Sequence, residues 1–251
     1  MKPPPAEHLF LITGATRGIG KALTAEALKV PGSFVVGLSR AEPHLGSNHQ
    51  NIPVDLNQIE AIGPVMESVQ WDVSAAGLKN TILINNAGVL DPIAPLAGCD
   101  DALLARNIRV NLTAPLVLAR HFCRFSQPLP GRKWIINITS GASRTPYYGW
   151  SAYGAAKAGL DMATRAMALE FARLDPSFSA CAVAPGTVDT DMQARIRQCT
   201  PAQFERVDRF LELKAKGGLY PPQRTASALI RFLLEGRFEN GGRYDLREMG
   251  I

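Results

Sequence analysis

Tyr153 and Lys157 stand four residues apart in Ser151-Ala152-Tyr153-Gly154-Ala155-Ala156-Lys157. On a helix that spacing places both on one face. A phenol titrates near 10 and is a poor acid–base group at neutral pH. A nearby ammonium favours the phenolate and lowers that value, so the pair is a way to make a tyrosine exchange protons. The same spacing also occurs on helix surfaces with no chemical role, so the surrounding residues decide. Pro115 has no N–H, so in a helix over 101–125 the carbonyl of Asn111, four residues back, lacks its helical partner. That carbonyl can hold a water. Beside the lysine the water would relay protons; elsewhere Pro115 is only a kink.

A second chemical signal lies near the N-terminus. His8-Leu9-Phe10-Leu11-Ile12 reads as a strand and runs into Thr13-Gly14-Ala15-Thr16-Arg17-Gly18-Ile19-Gly20, with a helical pattern after it. A glycine-rich turn between strand and helix lets backbone N–H groups approach a pyrophosphate, whose charge the helix dipole favours. This G-x-x-x-G-x-G spacing is a variant of the dinucleotide fingerprint, with Gly14, Thr16, Arg17, Gly18, Ile19 and Gly20 at the turn. About twenty residues further on, an acid would hold the 2′-hydroxyl of NAD, and a base accommodates the 2′-phosphate of NADP. Here that position is Ser39, followed by Arg40. With Arg17 on the same side, the guanidinium groups point to NADP(H), because their fork geometry suits phosphate. The alternative is that both arginines are solvated surface charges.

The elements that must position these residues alternate. Apolar β-rich runs at 9–13, 33–38, 52–54, 81–85, 134–139, 179–184 and 242–246 are separated by helical patterns near 18–29, 57–70, 101–125, 151–174, 201–215 and 223–235. Strand–helix repetition with unbroken apolar strands predicts an α/β fold: a doubly wound parallel sheet of about seven strands with helices on both faces. The whole of 1–251 reads as one domain, with 1–7 as a proline-rich tail. Three further signals fall at strand ends, where such sheets bind ligands: Asn85-Asn86-Ala87-Gly88, Thr139-Ser140 and Pro185-Gly186.

Composition excludes several classes. Of 251 residues, 46% are apolar and 20% charged, which is ordinary for a folded domain. No apolar run reaches the ~18 residues of a membrane span, and the N-terminus is not expected to be a secretory signal. The net charge of +5 is scattered without a basic run, which argues against nucleic acid and fits an anionic cofactor. Cys99, Cys123, Cys181 and Cys199 form no C-x-x-C pair, so no metal site is expected and a reducing cytoplasmic setting is the default.

Together, Thr13-Gly14-x-x-x-Gly18-x-Gly20, Asp55-Leu56, Asn85-Asn86-Ala87-Gly88, Asn111, Ser140, Tyr153-x-x-x-Lys157 and Pro185-Gly186-x-x-x-Thr190 resemble the short-chain dehydrogenase/reductase superfamily over nearly the whole chain. The resemblance implies a Rossmann-type fold with Tyr153 as general acid–base. Lys157 would tune it and hold the nicotinamide ribose, Ser140 would orient a carbonyl, and Asn111 would anchor the relay water. Asp55 would contact the adenine and Asn86 would line the cofactor cleft, and Leu56, Ala87, Gly88, Pro185, Gly186, Val188 and Thr190 would also bind the cofactor.

A narrower likeness, to the sepiapterin-reductase and benzil-reductase branch, rests on Pro146-x-x-Gly149-Trp150-x-x-Tyr153 and Asp189-Thr190-Asp191-Met192-Gln193, with Gly241-Gly242-Arg243-Tyr244-Asp245. It implies a substrate pocket with Trp150 and Met192, capped by 187–222. Asp245 would either anchor a pterin-like substrate or merely end the last strand. The implied function is NADPH-dependent reduction of a ketone or vicinal dicarbonyl in a homodimer or homotetramer built on the 101–125 and 151–174 helices. The alternative is a cofactor-binding regulatory protein without turnover. Such a protein is expected to have lost one of Tyr153, Lys157, Ser140 and Asn111, and all four stand.

Overall fold

A computed structural model describes residues 6–41, 45–68 and 77–249. Among these, seven strands form one sheet in the order β3-β2-β1-β4-β5-β6-β7. They are β1 (His8–Thr13), β2 (Ser33–Ser39), β3 (His49–Pro53), β4 (Asn80–Asn85), β5 (Arg132–Ile138), β6 (Phe178–Ala184) and β7 (Arg243–Asp245). Every pairing is parallel. The chain steps outward from β1 to β3 and then crosses to β4 on the other side of β1. Loops leaving β1 and β4 therefore diverge and open a crevice at their carboxyl ends.

Neighbouring strand residues point to opposite faces, and both faces are covered. Leu9, Leu11, Val36, Leu83 and Ile135 pack on α2 (Ile59–Ser68), α4 (Ala114–Ser126) and α5 (Ser151–Leu174). Phe10, Ile12, Val35, Ile82, Ile84 and Ile136 pack on α1 (Gly18–Leu28) and α8 (Pro222–Glu235). A third, smaller cluster lies beyond the carboxyl ends of the strands. There Trp150 stacks on Phe204 with centroids 4.4 Å apart, and Phe210 meets both edge-on. This cluster seats α6 (Asp191–Arg197) and α7 (Val207–Ala215), the two helices that lie wholly within the 187–222 segment.

The structure corrects several expected boundaries. The single helix over 101–125 is α3 (Asp101–Ile108), a π turn over Arg109–Thr113, and α4. Ala114 N–H donates to Arg109 O, five residues back, just before Pro115. The expected helix at 57–70 is α2, and residues 69–70 lie outside the described residues. The helix expected at 201–215 begins at Val207, and α6, seven residues capped by Thr190, precedes it. It is too short to show a periodic pattern. β3 starts at His49 rather than 52 because its first residues, His49-Gln50-Asn51, are polar and belong to an edge strand. Of the expected tail 1–7, residues 1–5 lie outside the described residues, and Ala6 is buried. Glu7 donates its N–H to Gly32 O and pairs with Lys79.

A buried polar chain ties the sheet to α5. Asn85 Nδ2 donates to Asn137 Oδ1 (2.8 Å), Asn137 Nδ2 to Thr164 Oγ1 (2.8 Å), and Thr164 Oγ1 to Leu160 O (2.7 Å). Replacing the central member leaves the Asn85 amide N–H without an acceptor in a dry interior. Asn137→Leu is therefore expected to lower the unfolding free energy by roughly 2–4 kcal/mol, read as a reduced urea midpoint at unchanged slope.

Candidate active site

The turn after β1 is shaped by glycine sterics. Gly14 and Gly18 have φ of +66° and +53°. A Cβ at Gly20 would lie 2.1 Å from Gly14 O, so α1 comes this close to the turn only because position 20 has no side chain. Asn86 and Ala87 donate their backbone N–H groups to Thr13 Oγ1 (2.9 Å each), and Asn86 Nδ2 donates to Thr13 O (2.9 Å). The β1 and β4 loops are thus locked together at the switch point.

A cleft of about 580 Å³ follows. Of the expected cofactor residues, Gly14, Thr16, Arg17, Gly18, Ile19, Ser39, Arg40, Asp55, Leu56, Asn86, Ala87, Gly88, Pro185 and Thr190 line it, and so do Tyr153 and Lys157. Gly20 lies behind the turn rather than in the cleft, and Gly186 and Val188 face a second cavity. Ser39 is buried with its hydroxyl on Ala41 O (3.0 Å) and Asn51 Oδ1 (2.9 Å), so Arg40 is what the end of β2 exposes. Arg17 is exposed and 4.0 Å from Asp191.

Tyr153 and Lys157 are both buried on α5, with Lys157 Nζ 5.9 Å from the centroid of the Tyr153 ring. Lys157 Nζ donates to Ile138 O at 2.8 Å. Burial disfavours its charge and holds its pKa at about 8, against an opposing pull from Asp161. Burial also pushes the Tyr153 phenol upward, while a hydrogen bond with the Ser140 hydroxyl pulls it down. The expected lowering by the lysine is therefore not what dominates. Desolvation wins and keeps the phenol protonated at neutral pH. Asn111 is fully buried, but its side chain is taken up by Val89 O (2.7 Å), Val89 N (3.1 Å) and Asn107 Oδ1 (2.8 Å). Gly88 lies between Asn111 and Lys157: its Cβ position is 3.0 Å from Asn111 Oδ1 and 3.9 Å from Lys157 Nζ.

Ser140, Trp150, Tyr153 and Met192 meet around the second cavity, of about 400 Å³. Asp245 does not join them. Its carboxylate is buried and accepts from Arg247 Nε (2.9 Å), Arg247 Nη2 and Arg247 N (3.0 Å). This corrects its expected role as a substrate anchor, because its lone pairs are already committed to an arginine.

Three residues missed by the sequence reading hold the site in place. Asn107 donates to Leu90 O (3.2 Å) and Asp91 O (2.9 Å), and with Asn111 it stitches the loop after β4 to the helix. Their i,i+4 spacing was a usable signal. Arg243 donates to Asp161 Oδ2 (2.9 Å), Ser140 O (3.1 Å) and Ser143 Oγ (3.3 Å), so with Asp161 it fixes the turn bearing Ser140. Arg243 lies 103 residues from Ser140, too far for any local pattern to show.

A glycine turn at the switch point of a doubly wound sheet, with a buried Tyr–Lys pair and a serine at the end of β5, defines an oxidoreductase of the dinucleotide-binding class. The chain belongs to the short-chain dehydrogenase family, whose model, described as "short chain dehydrogenase", matches residues 8–200. It is 36% identical over 245 residues to a benzil reductase ((S)-benzoin forming) of Bacillus subtilis (strain 168), covering 96% of this chain and 99% of that protein. It is 31% identical over 252 residues to a sepiapterin reductase of Meriones unguiculatus, covering 94% of each. Among solved structures it is similar to the KRED1-Pglu enzyme, with TM-score 0.79, 29% identity, and 94% and 99% of the two chains covered. It is also similar to a putative NAD(P) dependent gluconate 5-dehydrogenase from Beutenbergia cavernae with bound NADP, with TM-score 0.77, 25% identity, and 96% and 95% covered. No described helix is long and apolar enough to cross a membrane.

The depressed Lys157 value has a sign that can be checked. The unfolded chain keeps its proton to about 10.5 and the folded one only to about 8. The penalty for burying this ammonium is thus complete below about pH 8 and fades as pH rises to 10.5. One lysine resonance is expected to titrate near pH 8 in lysine-Cε-labelled protein, and to be missing from Lys157→Met. A spectrum in which all lysines titrate near 10.5 refutes the assignment.

Proposed function

We propose that this protein reduces a ketone or vicinal dicarbonyl to the alcohol with NADPH, with Tyr153 as the proton donor. The observation that carries this reading is the Ser140–Tyr153–Lys157 cluster, in which Tyr153 borders both the cleft and the second cavity. The benzil-reductase and sepiapterin-reductase relatives support the substrate class. The glycine cradle fits a dinucleotide: the backbone at Gly14 and Gly18 and the N-terminus of α1 would hold its pyrophosphate. Asp55 and Leu56 would meet the adenine, and Lys157 the nicotinamide ribose. When bound, the nicotinamide supplies the hydride.

The protein supplies position and the proton. Ser140 donates to the carbonyl oxygen, and Tyr153, kept protonated by burial, transfers its proton to that oxygen. A protonated phenol suits the reductive direction. The main-chain carbonyl of Asn111, left without a helical donor by Pro115, would hold the relay water on the way to Lys157. Exposed Leu116 on α4 and Met162 and Leu169 on α5 offer the apolar surface for a homodimer or homotetramer. The free cysteines suit a cytoplasmic setting.

Tyr153→Phe keeps the ring and removes only the proton donor. We expect kcat for benzil to fall by about 10²–10⁴, the usual scale of general acid catalysis, with NADPH affinity retained in a fluorescence titration. A variant with wild-type kcat would remove Tyr153 from the mechanism. Because Arg17 and Arg40 border the cleft and no acid stands at position 39, kcat/KM with NADPH is expected to exceed that with NADH by roughly tenfold or more. Arg40→Asp should erase most of that preference; equal use of both cofactors by the native protein refutes the NADPH assignment.

A further inference from the structure

We infer that the substrate carries an anion next to its reacting carbonyl, held by Arg247 with Arg206 and Arg209. Its class is then a 2-oxo acid with an aromatic or bulky apolar remainder. This rests on the reductase reading and narrows its substrate.

The second cavity is lined by Arg206, Arg209 and Arg247 and by no carboxylate.

Arg247 is the best placed of the three. Asp245 holds it by a fork on Nε and Nη2 and leaves Nη1 outside that contact. Its stem lies against Gly186, with Cγ 3.0 Å from the Cβ position. Its Nη2 is 4.0 Å from the Cβ position of Gly141, the residue after Ser140. A guanidinium is thus fixed beside the serine that orients the carbonyl, with its carboxylate support out of the cavity. Because Asp245 balances one charge, Arg206 and Arg209 leave the cavity net positive. Of the acids on and beside the cap, Asp189 pairs with Lys214 and Arg197, Asp191 with Arg17 and Glu212 with Lys216, and Glu205, Asp208 and Glu248 do not line the cavity. An arginine against Gly141, the residue after Ser140, suits an anion close to the reacting carbonyl. Trp150, Met192, Ile196 and Phe210 form the apolar wall for the remainder.

The test compares benzoylformate with methyl benzoylformate. The ester carbonyl is intrinsically the more electrophilic, so a preference for the acid must come from binding. The acid is expected to have at least a tenfold higher kcat/KM with NADPH, mainly through KM, and to lose that advantage as ionic strength rises. Arg247→Met should lower the acid-to-ester ratio about tenfold, and Arg209→Met less; the second variant serves if the first does not fold. Calorimetric titration of the NADP⁺-loaded protein should show the same acid-over-ester selectivity without turnover. Reduction of benzil with no preference for the acid, or a ratio that neither arginine substitution moves, overturns this inference and leaves the reductase reading standing. Selective binding of benzoylformate with neither it nor benzil reduced overturns the reductase reading and, with it, the substrate assignment that rests on it.

Discussion

A lysine buried at the carboxyl end of a parallel sheet is the constraint around which this molecule is arranged. Lys157 has given up nearly all of its water and donates to one carbonyl, Ile138 O. The fall from 10.5 to about 8 means that burial makes its ammonium costlier than in water by about 3 kcal/mol, although the group stays mostly charged at neutral pH. Such a group stays put only if the helix carrying it is held hard against the strand it faces. The Asn85–Asn137–Thr164 chain does this about two turns further along α5, and the Arg243–Asp161 pair does it from β7. Asp161 also opposes the neutralisation of Lys157, so this ion pair bears on both the position and the charge of the amine.

The same constraint explains the unusual backbone across from Lys157. Gly88 must pass close to the amine, and the loop that follows it has few hydrogen bonds of its own. Asn107 and Asn111 provide them, reaching Val89, Leu90 and Asp91 from one helix face. The helix widens into a π turn where Asn111 sits and resumes at Pro115. π turns often mark functional sites, and this one directs a buried amide at the loop instead of at the helix ladder.

At the substrate end the sheet supplies a rigid floor, and the cap supplies shape. Trp150, Phe204 and Phe210 form a stacked core that belongs to neither face of the sheet and holds α6 and α7 over the site. Tyr153 packs edge-on against Trp150, with centroids 5.6 Å apart, so the proton donor is braced by the same cluster that bounds the substrate. Orientation at the reacting carbonyl thus depends on packing between the cap and the start of α5.

The amino-acid sequence alone determined what depends on neighbours in the chain. The glycine spacing at 14, 18 and 20 specifies a turn that only small residues can make, and the spacing of Tyr153 and Lys157 specifies a shared helix face. Both follow from local sterics and the helical period. The alternation of apolar runs was enough for the doubly wound sheet, because strands buried on both faces have no polar residues to hide them. β3 and α6 blurred at their edges because one is polar and the other too short. Tertiary structure decided whatever depends on partners distant in sequence. It set Arg247 upon Asp245 outside the substrate cavity, brought Arg243 to the turn of Ser140, and engaged the Ser39 hydroxyl with Asn51. It also reversed the expected direction for Tyr153. Spacing reveals a neighbouring charge, but how far two groups are removed from water is a property of the packed interior, and here that desolvation outweighs the hydrogen bond from Ser140.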